Sequence, residues 1–188
     1  RGLPSHLATI VLLDPQTGAL VALLDGRYIT ESRTAAVSAV SARHLSRPAA
    51  ATLAIIGSGV QARSHLEAYG AVRTLREVRV WSPNARSRRR FIDDMTAHVA
   101  ARLHDSGSAQ EAVEGADLIV LATASPTPVI EDAWVGSGAH VVSVGACRPD
   151  QREIAPELIA RGRLFVDSLD AALVEPAVHV LRNELLLL

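Results

Sequence analysis

The feature that most constrains this chain is a run of small residues between a strand-like segment and a helix-like one. Thr52–Ile56 is a short apolar run of strand length, and Val60–Val72 carries a helical pattern. Gly57-Ser58-Gly59-Val60-Gln61-Ala62 joins them. Gly57 permits a tight turn, Gly59 lets backbone approach a phosphate, and Ala62 lets the helix pack against the strand. The free N–H groups at the helix start then face an anion. This is the fingerprint of a dinucleotide-binding turn, and Gly57, Ser58, Gly59, Val60, Gln61 and Ala62 form the expected diphosphate cradle. A tight strand–helix turn without a ligand is the plainer alternative.

The flanking pattern supplies the required context. Leu7–Leu13 and Leu20–Leu24 are apolar runs separated by Asp14-Pro15-Gln16-Thr17-Gly18, whose turn chemistry predicts a β-hairpin. Thr30–Leu45 reads as a helix, with Thr30 as its cap and Pro48 beyond its end. Further strands are expected at Glu77–Trp81, Asp117–Ala122, His140–Val144 and Leu164–Asp167. Helices are expected from a Ser82-Pro83 start to about Leu103, over Gln110–Glu114, and over Glu153–Ala160. Strands alternating with helices predict an α/β fold: a Rossmann-type, doubly wound, mainly parallel sheet with right-handed crossovers.

Composition sets outer bounds. The 188 residues, 48% hydrophobic, suit one full domain or one domain plus part of another. A net charge of −1 gives no general attraction to nucleic acid or to an anionic membrane. No apolar run reaches the roughly 20 residues of a membrane span. The single cysteine, Cys147, excludes an internal disulfide and points to a reducing, cytoplasmic compartment. All 19 basic residues are arginine. The seven histidines show no metal-ligand spacing; His98 and His104, six apart, do not share a helix face. The absence of a Gly-x-Ser-x-Gly elbow argues against a serine hydrolase.

The end of the second strand bears on cofactor choice. NAD enzymes place an acid there, against the ribose hydroxyls. Glu77 lies 20 residues after Gly57 but at the start of its strand, and Ser82 stands at the end. No carboxylate there repels a 2′-phosphate. Asn84, Arg86, Arg88 and Arg89 follow within two helical turns, where cations oppose the helix dipole. NADP(H) is therefore expected, with NAD(H) as the alternative and a solvated arginine face as the plainer one. Thr123 follows the third strand between the small Ala122 and Ala124, and Val144, Gly145 and Ala146 end the next strand. All six are expected to line the cofactor, the last three at its nicotinamide, with ordinary strand-end packing as the alternative.

Three motifs occur in order: Arg33-Thr34-Ala35-Ala36-Val37-Ser38-Ala39, then Ile56-Gly57-Ser58-Gly59-Val60-Gln61-Ala62, then Val144-Gly145-Ala146-Cys147-Arg148-Pro149-Asp150-Gln151-Arg152-Glu153. Together they resemble the ornithine cyclodeaminase/mu-crystallin family, from about Ser5 to Ala172. The resemblance implies a Rossmann domain beside a second domain, built from both chain ends, for substrate binding and dimerisation. By it, residues 1–47 are a partial substrate and dimerisation domain with a linking helix, and residues 48–172 are the Rossmann domain. Residues 173–188 are left as a tail. A catalytic lysine would lie in an N-terminal stretch outside the chain, a C-terminal segment would also lie outside it, and the full-length protein would be a homodimer.

The family includes cyclodeaminases, alanine dehydrogenases and reductases of cyclic imines. Cyclodeaminases carry an aspartate where Cys147 stands, and a thiol is a poor stand-in for that acid–base carboxylate. Arg148-Pro149-Asp150 is similar to the mu-crystallin, imine-reductase branch. The resemblance therefore implies an NAD(P)H-dependent reductase of small cyclic imino acids, of ketimine or pyrroline-2-carboxylate type. Ornithine cyclodeaminase and a non-catalytic, crystallin-like binding protein are the alternatives. Arg33 would grip the substrate carboxylate with its two-pronged guanidinium, and a place in a helix's first turn would also favour an anion there. Thr34 would sit near the cofactor. Cys147 is read as packing and Asp150 as structural.

Overall fold

The structure, a computed structural model, describes residues 7–146 and 151–166. Strands β1 (Thr9–Leu13) and β2 (Leu20–Asp25) form the expected antiparallel hairpin, with Thr9 opposite Asp25. The Asp14 carboxylate organises its turn, accepting from the backbone N–H of Thr17 at 2.7 Å and of Gln16 at 2.9 Å. Those bonds, with the Thr17 hydroxyl, hold the Asp14 carboxyl below the usual carboxylate range.

Helix α1 (Gly26–Leu45) follows directly and starts earlier than expected. Asp25 caps it by accepting from the N–H groups of Arg27 and Tyr28. Thr30 is not the cap; its hydroxyl bonds to the Gly26 carbonyl one turn back, at 2.8 Å. The first turns are polar, so the apolar period that reveals the helix begins only after they end.

Five strands build a parallel sheet: β3 (Thr52–Ile56), β4 (Glu77–Trp81), β5 (Arg102–Asp105), β6 (Leu118–Leu121) and β7 (His140–Ser143). Their order is β5-β4-β3-β6-β7. Helices α2 (Val60–Val72), α3 (Ala85–Met95) and α4 (Ala109–Val113) connect β3 through to β6, and α5 (Pro156–Arg161) comes after β7. The chain winds outward from β3 to β5, then returns to lay β6 against the other side of β3.

Alternate strand residues face opposite layers. Leu53, Ile55, Leu118 and Val120 pack with Leu66 and Tyr69 of α2 and Phe91 of α3. Ala54, Ile56, Ile119 and Leu121 meet Ala112 and Val113 of α4 and Leu158 of α5. Both central strands are buried on both faces, so they read as continuous apolar runs. Asp117 ties the start of β3 to β6, accepting from the N–H groups of Ala51 (2.9 Å) and Thr52 (3.1 Å) and from Arg47 (2.7 Å). Burial pushes its carboxyl up, but these donors outweigh burial and leave it below the usual range.

The edge of the sheet departs from expectation. Of the strand expected at Leu164–Asp167, residues 164–166 are not strand and Asp167 lies outside the described residues. The fifth strand is instead β5, which begins within the stretch expected to be helical to about Leu103 and runs past its end. Helix α3 stops at Met95, and a 3-10 turn follows at Thr96–His98. Strand β5 has Leu103 as its one apolar residue, and a short, half-exposed edge strand lacks the alternation that betrays a buried one. Asn84, not Ser82, caps α3, accepting from the Ser87 N–H at 3.0 Å. The helix expected over Glu153–Ala160 begins at Pro156, which leaves Glu153 in extended chain. Among the described residues no helix is long and apolar enough to cross a membrane.

Helix α1 lies along α2 through the buried Ala35, Ala39 and Ala42 and through a polar chain. His65 of α2 is fully buried, with Nδ1 2.7 Å from the Gln61 carbonyl and Nε2 3.0 Å from the Ser38 hydroxyl. A carbonyl only accepts, so Nδ1 carries the proton. The Ser38 hydroxyl is also 3.1 Å from the Thr34 carbonyl. Burial lowers the His65 pKa against the opposing pull of the Gln61 bond. Burial, then the charge of Arg73, lowers that of His140, whose Nε2 is 2.9 Å from the Ser41 hydroxyl.

Both imidazoles thus fold below the ordinary value of 6.5. Above that pH they are neutral folded or unfolded. As the pH falls below it, the unfolded chain takes up protons first and stability is lost. Thermal melts should show the melting temperature falling between about pH 7 and pH 5, before most carboxylates titrate. A His65→Gln, His140→Gln double variant should give a shallower slope over that window.

Candidate functional site

Strand order reverses between β3 and β6. At such a point successive connections leave in opposite directions, and the strands' carboxyl ends stay open to a ligand. The glycine turn lies at this point. Gly57 has φ +128°, and a side chain there would strike the carbonyl of Ala122. Its N–H bonds to the Trp81 carbonyl at 2.7 Å, while the Ala122 N–H bonds to the Ile56 carbonyl at 2.8 Å. The turn is therefore locked to β4 on one side and β6 on the other.

Gly59 has a different surrounding. It is the N-cap of α2, with φ −85°, and nothing lies within 4 Å of where its Cβ would stand. Among the described residues no side chain caps the helix. Ala62 is fully buried against the sheet, and the Gln61 Oε1 is buried with no hydrogen-bond partner among the described residues. Val60 is exposed at the mouth of the turn. Open space, uncapped helix donors and backbone able to approach closely fit a diphosphate.

Ser58 and Ser82 close the far side of the turn, with their hydroxyls 2.9 Å apart. Ser82 is buried at the end of β4. The expected cationic cluster divides. Arg88 donates to the Ser82 carbonyl and to the Asp105 carboxylate, each at 2.5 Å, so it braces the ends of β4 and β5 and is not free for a phosphate. The side chain of Asn84 is engaged in the cap of α3. Arg86 and Arg89 are exposed. Glu77 sits at the opposite end of β4, 3.1 Å from Arg79 and 3.3 Å from His104. The hydrogen bond from Arg79 lowers its pKa, burial opposes this, and nearby positive charge adds to the lowering.

The other expected cofactor residues converge on the same edge. Ala122, Thr123 and Ala124 run on from β6, and Val144, Gly145 and Ala146 run on from β7. The Val144 N–H bonds to the Leu121 carbonyl at 3.0 Å, and a side chain on Gly145 would strike the backbone of Thr123. Cys147 and Asp150 lie outside the described residues.

Arg33 and Thr34 come from α1. Arg33 is the eighth residue of that helix, so it is not in the first turn and gains nothing from the helix dipole. It is exposed, and its guanidinium has no hydrogen-bond or ion-pair partner among the described residues. The Thr34 hydroxyl bonds to the Thr30 carbonyl at 2.8 Å, and its carbonyl joins the Ser38–His65 chain that ends at Gln61.

Sequence reasoning missed one group at this edge. Glu153 is 1% exposed and accepts hydrogen bonds from Thr123, Ser143 and Gly145. The available signal was its place as the last residue of the third motif.

Residues 1–187 match the model of the ornithine cyclodeaminase/mu-crystallin family. Ketimine reductase mu-crystallin of Rattus norvegicus is 42% identical over 175 residues, which are 93% of this chain and 55% of that protein. Thermococcus litoralis Delta(1)-pyrroline-2-carboxylate reductase, solved with NADH and L-proline, superposes with a TM-score of 0.93 at 36% identity, over 97% of this chain and 57% of that one. An archaeal alanine dehydrogenase dimer with bound NAD superposes with a TM-score of 0.86 at 28% identity, over 98% and 57% of the two chains. The chain spans about half the length of the relatives it matches. With a family match along almost its whole length, and a glycine turn set where the strand order reverses, the chain belongs to the ornithine cyclodeaminase/mu-crystallin family.

Proposed function

We infer that this chain carries the dinucleotide site and part of the substrate site of an NAD(P)H-dependent reductase of small cyclic imino acids, of ketimine or pyrroline-2-carboxylate type. The observation that carries the reading is the glycine turn, open at Gly59 and locked at Gly57, at the reversal of strand order. The dinucleotide, when bound, supplies a hydride to the C=N carbon of the imine. The chain's own residues position and enclose. The turn at Gly57, Ser58, Gly59, Val60, Gln61 and Ala62 holds the diphosphate on the first N–H groups of α2. Ala122, Thr123, Ala124, Val144, Gly145 and Ala146 border the nicotinamide half, with Thr34 nearby. Arg33 holds the substrate carboxylate, which turns the imine carbon toward the ring. Its guanidinium, exposed and without a partner among the described residues, supports that role.

NADP(H) is the favoured cofactor. No carboxylate stands at the end of β4, where Ser82 is buried, and Arg86 and Arg89 remain exposed at the start of α3. The Thermococcus protein's NADH makes NAD(H) the competing cofactor. Residues 1–47 belong to a substrate and dimerisation domain and residues 48–172 to the Rossmann domain. The exposed Leu12, Leu13, Leu20 and Leu23 of the hairpin support a homodimer of the whole protein. A cytoplasmic location agrees with the lone cysteine.

The two glycines separate fold from function. Gly57→Ala should destabilise the chain by about 2–4 kcal/mol, because it adds a clash at a left-handed backbone position. Gly59→Ala should cost at most about 1 kcal/mol, since only the cap changes. It should nonetheless weaken binding of NADPH and NADH by at least about tenfold in a fluorescence titration, because the phosphate approach is filled. Unchanged affinity in Gly59→Ala rejects the reading. An Arg86→Ala, Arg89→Ala double variant should lose about tenfold in NADPH affinity and little in NADH affinity; equal loss removes the NADP(H) preference. In the whole protein, Arg33→Ala should raise the KM for cyclic imino acids by at least about tenfold and leave dinucleotide affinity unaltered.

A further inference from the structure

The ladder between β6 and β7 ends where the Val144 N–H meets the Leu121 carbonyl, at 3.0 Å. Just past it, two backbone donors have no strand to bond to. The Thr123 N–H reaches Glu153 Oε1 at 2.6 Å, and the Gly145 N–H reaches Oε2 at 2.8 Å. Two hydroxyls join them: Thr123 Oγ1 at 2.7 Å from Oε1 and Ser143 Oγ at 2.7 Å from Oε2. Each carboxylate oxygen thus accepts two hydrogen bonds, one from backbone and one from a hydroxyl. One oxygen serves the end of β6 and the other serves β7.

The backbone of Glu153 is held as well. Its carbonyl accepts from the Val129 N–H at 3.0 Å, the Arg152 N–H bonds to the Ser125 carbonyl at 3.0 Å, and Ile154 bridges to Ile130. The residue is therefore fixed against the loop that leaves β6, and its side chain spans to β7. A carboxylate at 1% exposure is costly unless hydrogen bonds replace its water. A fold that needed only to cover two N–H groups could do so with a neutral amide or a water. A carboxylate whose two oxygens each accept two hydrogen bonds clamps two strand ends at one spacing.

In a sheet of this order the two mononucleotide halves of a dinucleotide fall on opposite sides of the reversal. The glycine turn and β4 serve one half, and the ends of β6 and β7 border the other. We propose that Glu153 is a positioning residue that sets the ends of β6 and β7, Thr123 and Gly145, to receive the nicotinamide half. The proposal rests on the dinucleotide reading above and adds a residue to it. Glu153 touches neither cofactor nor substrate; it acts through the two strand ends.

The test compares two ligands on the whole protein by calorimetry. One is the reduced dinucleotide that binds more tightly. The other is the matching ADP-ribose, with its 2′-phosphate where NADPH is preferred, which lacks nicotinamide. Glu153→Gln keeps the shape but turns an amide donor toward two donors. It should weaken the dinucleotide by about tenfold and leave ADP-ribose within about twofold. Ser143→Ala removes one donor, leaves the fold intact, and should change the same ratio in the same direction by a smaller factor. It carries the test should Glu153→Gln fail to fold. Equal weakening of both ligands, or of neither, overturns the proposal while the dinucleotide reading stands. A wild-type protein that binds no dinucleotide overturns both.

Discussion

At the carboxyl edge of the sheet, Gly57 turns out of β3 at φ +128°, and the carbonyl of Ala122 lies where a side chain would stand. Strands β3 and β6 are separated in sequence by three crossovers, yet their ends must meet this closely. The parallel ladder brings them together and then stops. Beyond it every buried N–H still needs an acceptor. Gly57 finds one in the Trp81 carbonyl, and Thr123 and Gly145 find theirs in one carboxylate. Among the described residues no side chain caps the start of α2, and open space there fits a diphosphate.

Three of the arginines brace this frame. Arg73 donates to the carbonyls of Ala42 and Arg43 and to the Ser46 hydroxyl, which finishes the carboxyl end of α1. Arg88 joins Ser82 to Asp105, and Arg161 joins Asp132 to the Val135 carbonyl. Each contact uses the planar fork of a guanidinium to reach more than one acceptor, which an ammonium group does less well. An exposed ion pair alone contributes little to stability. These arginines instead satisfy carbonyls at the ends of helices and strands, where the ladder has run out.

The central layer was legible because β3 and β6 are buried on both faces and read as unbroken apolar runs. The glycine turn was legible because its small residues answer steric demands that few other residues meet. Strand β5 was not, since an edge strand with one apolar residue carries no period. The early start of α1 was hidden by its polar first turns, and that shift removed the dipole argument for Arg33. Glu153 was hidden for a different reason. Its partners are backbone N–H groups some 8 and 30 residues away in sequence, and no local pattern announces such a contact. The split of the arginine cluster was equally out of reach, because it turns on the position of Asp105 in a strand that the sequence did not reveal.

The seam between α1 and α2 has a mechanical meaning. Small alanines alone would let the two helices slide past one another. The His65 ring opposes this: Nδ1 is held by Gln61 of its own helix and Nε2 reaches across the seam to Ser38 of α1, so a slide would bare a buried polar atom. Displacements of about 1 Å can cost a hundredfold in rate when two reactants must be aligned. Helix α1, with Arg33, is therefore surveyed from the same benchmark as the glycine turn proposed to receive the diphosphate. Substrate and cofactor would be located from one origin, and thermal strain that moved one would carry the other with it.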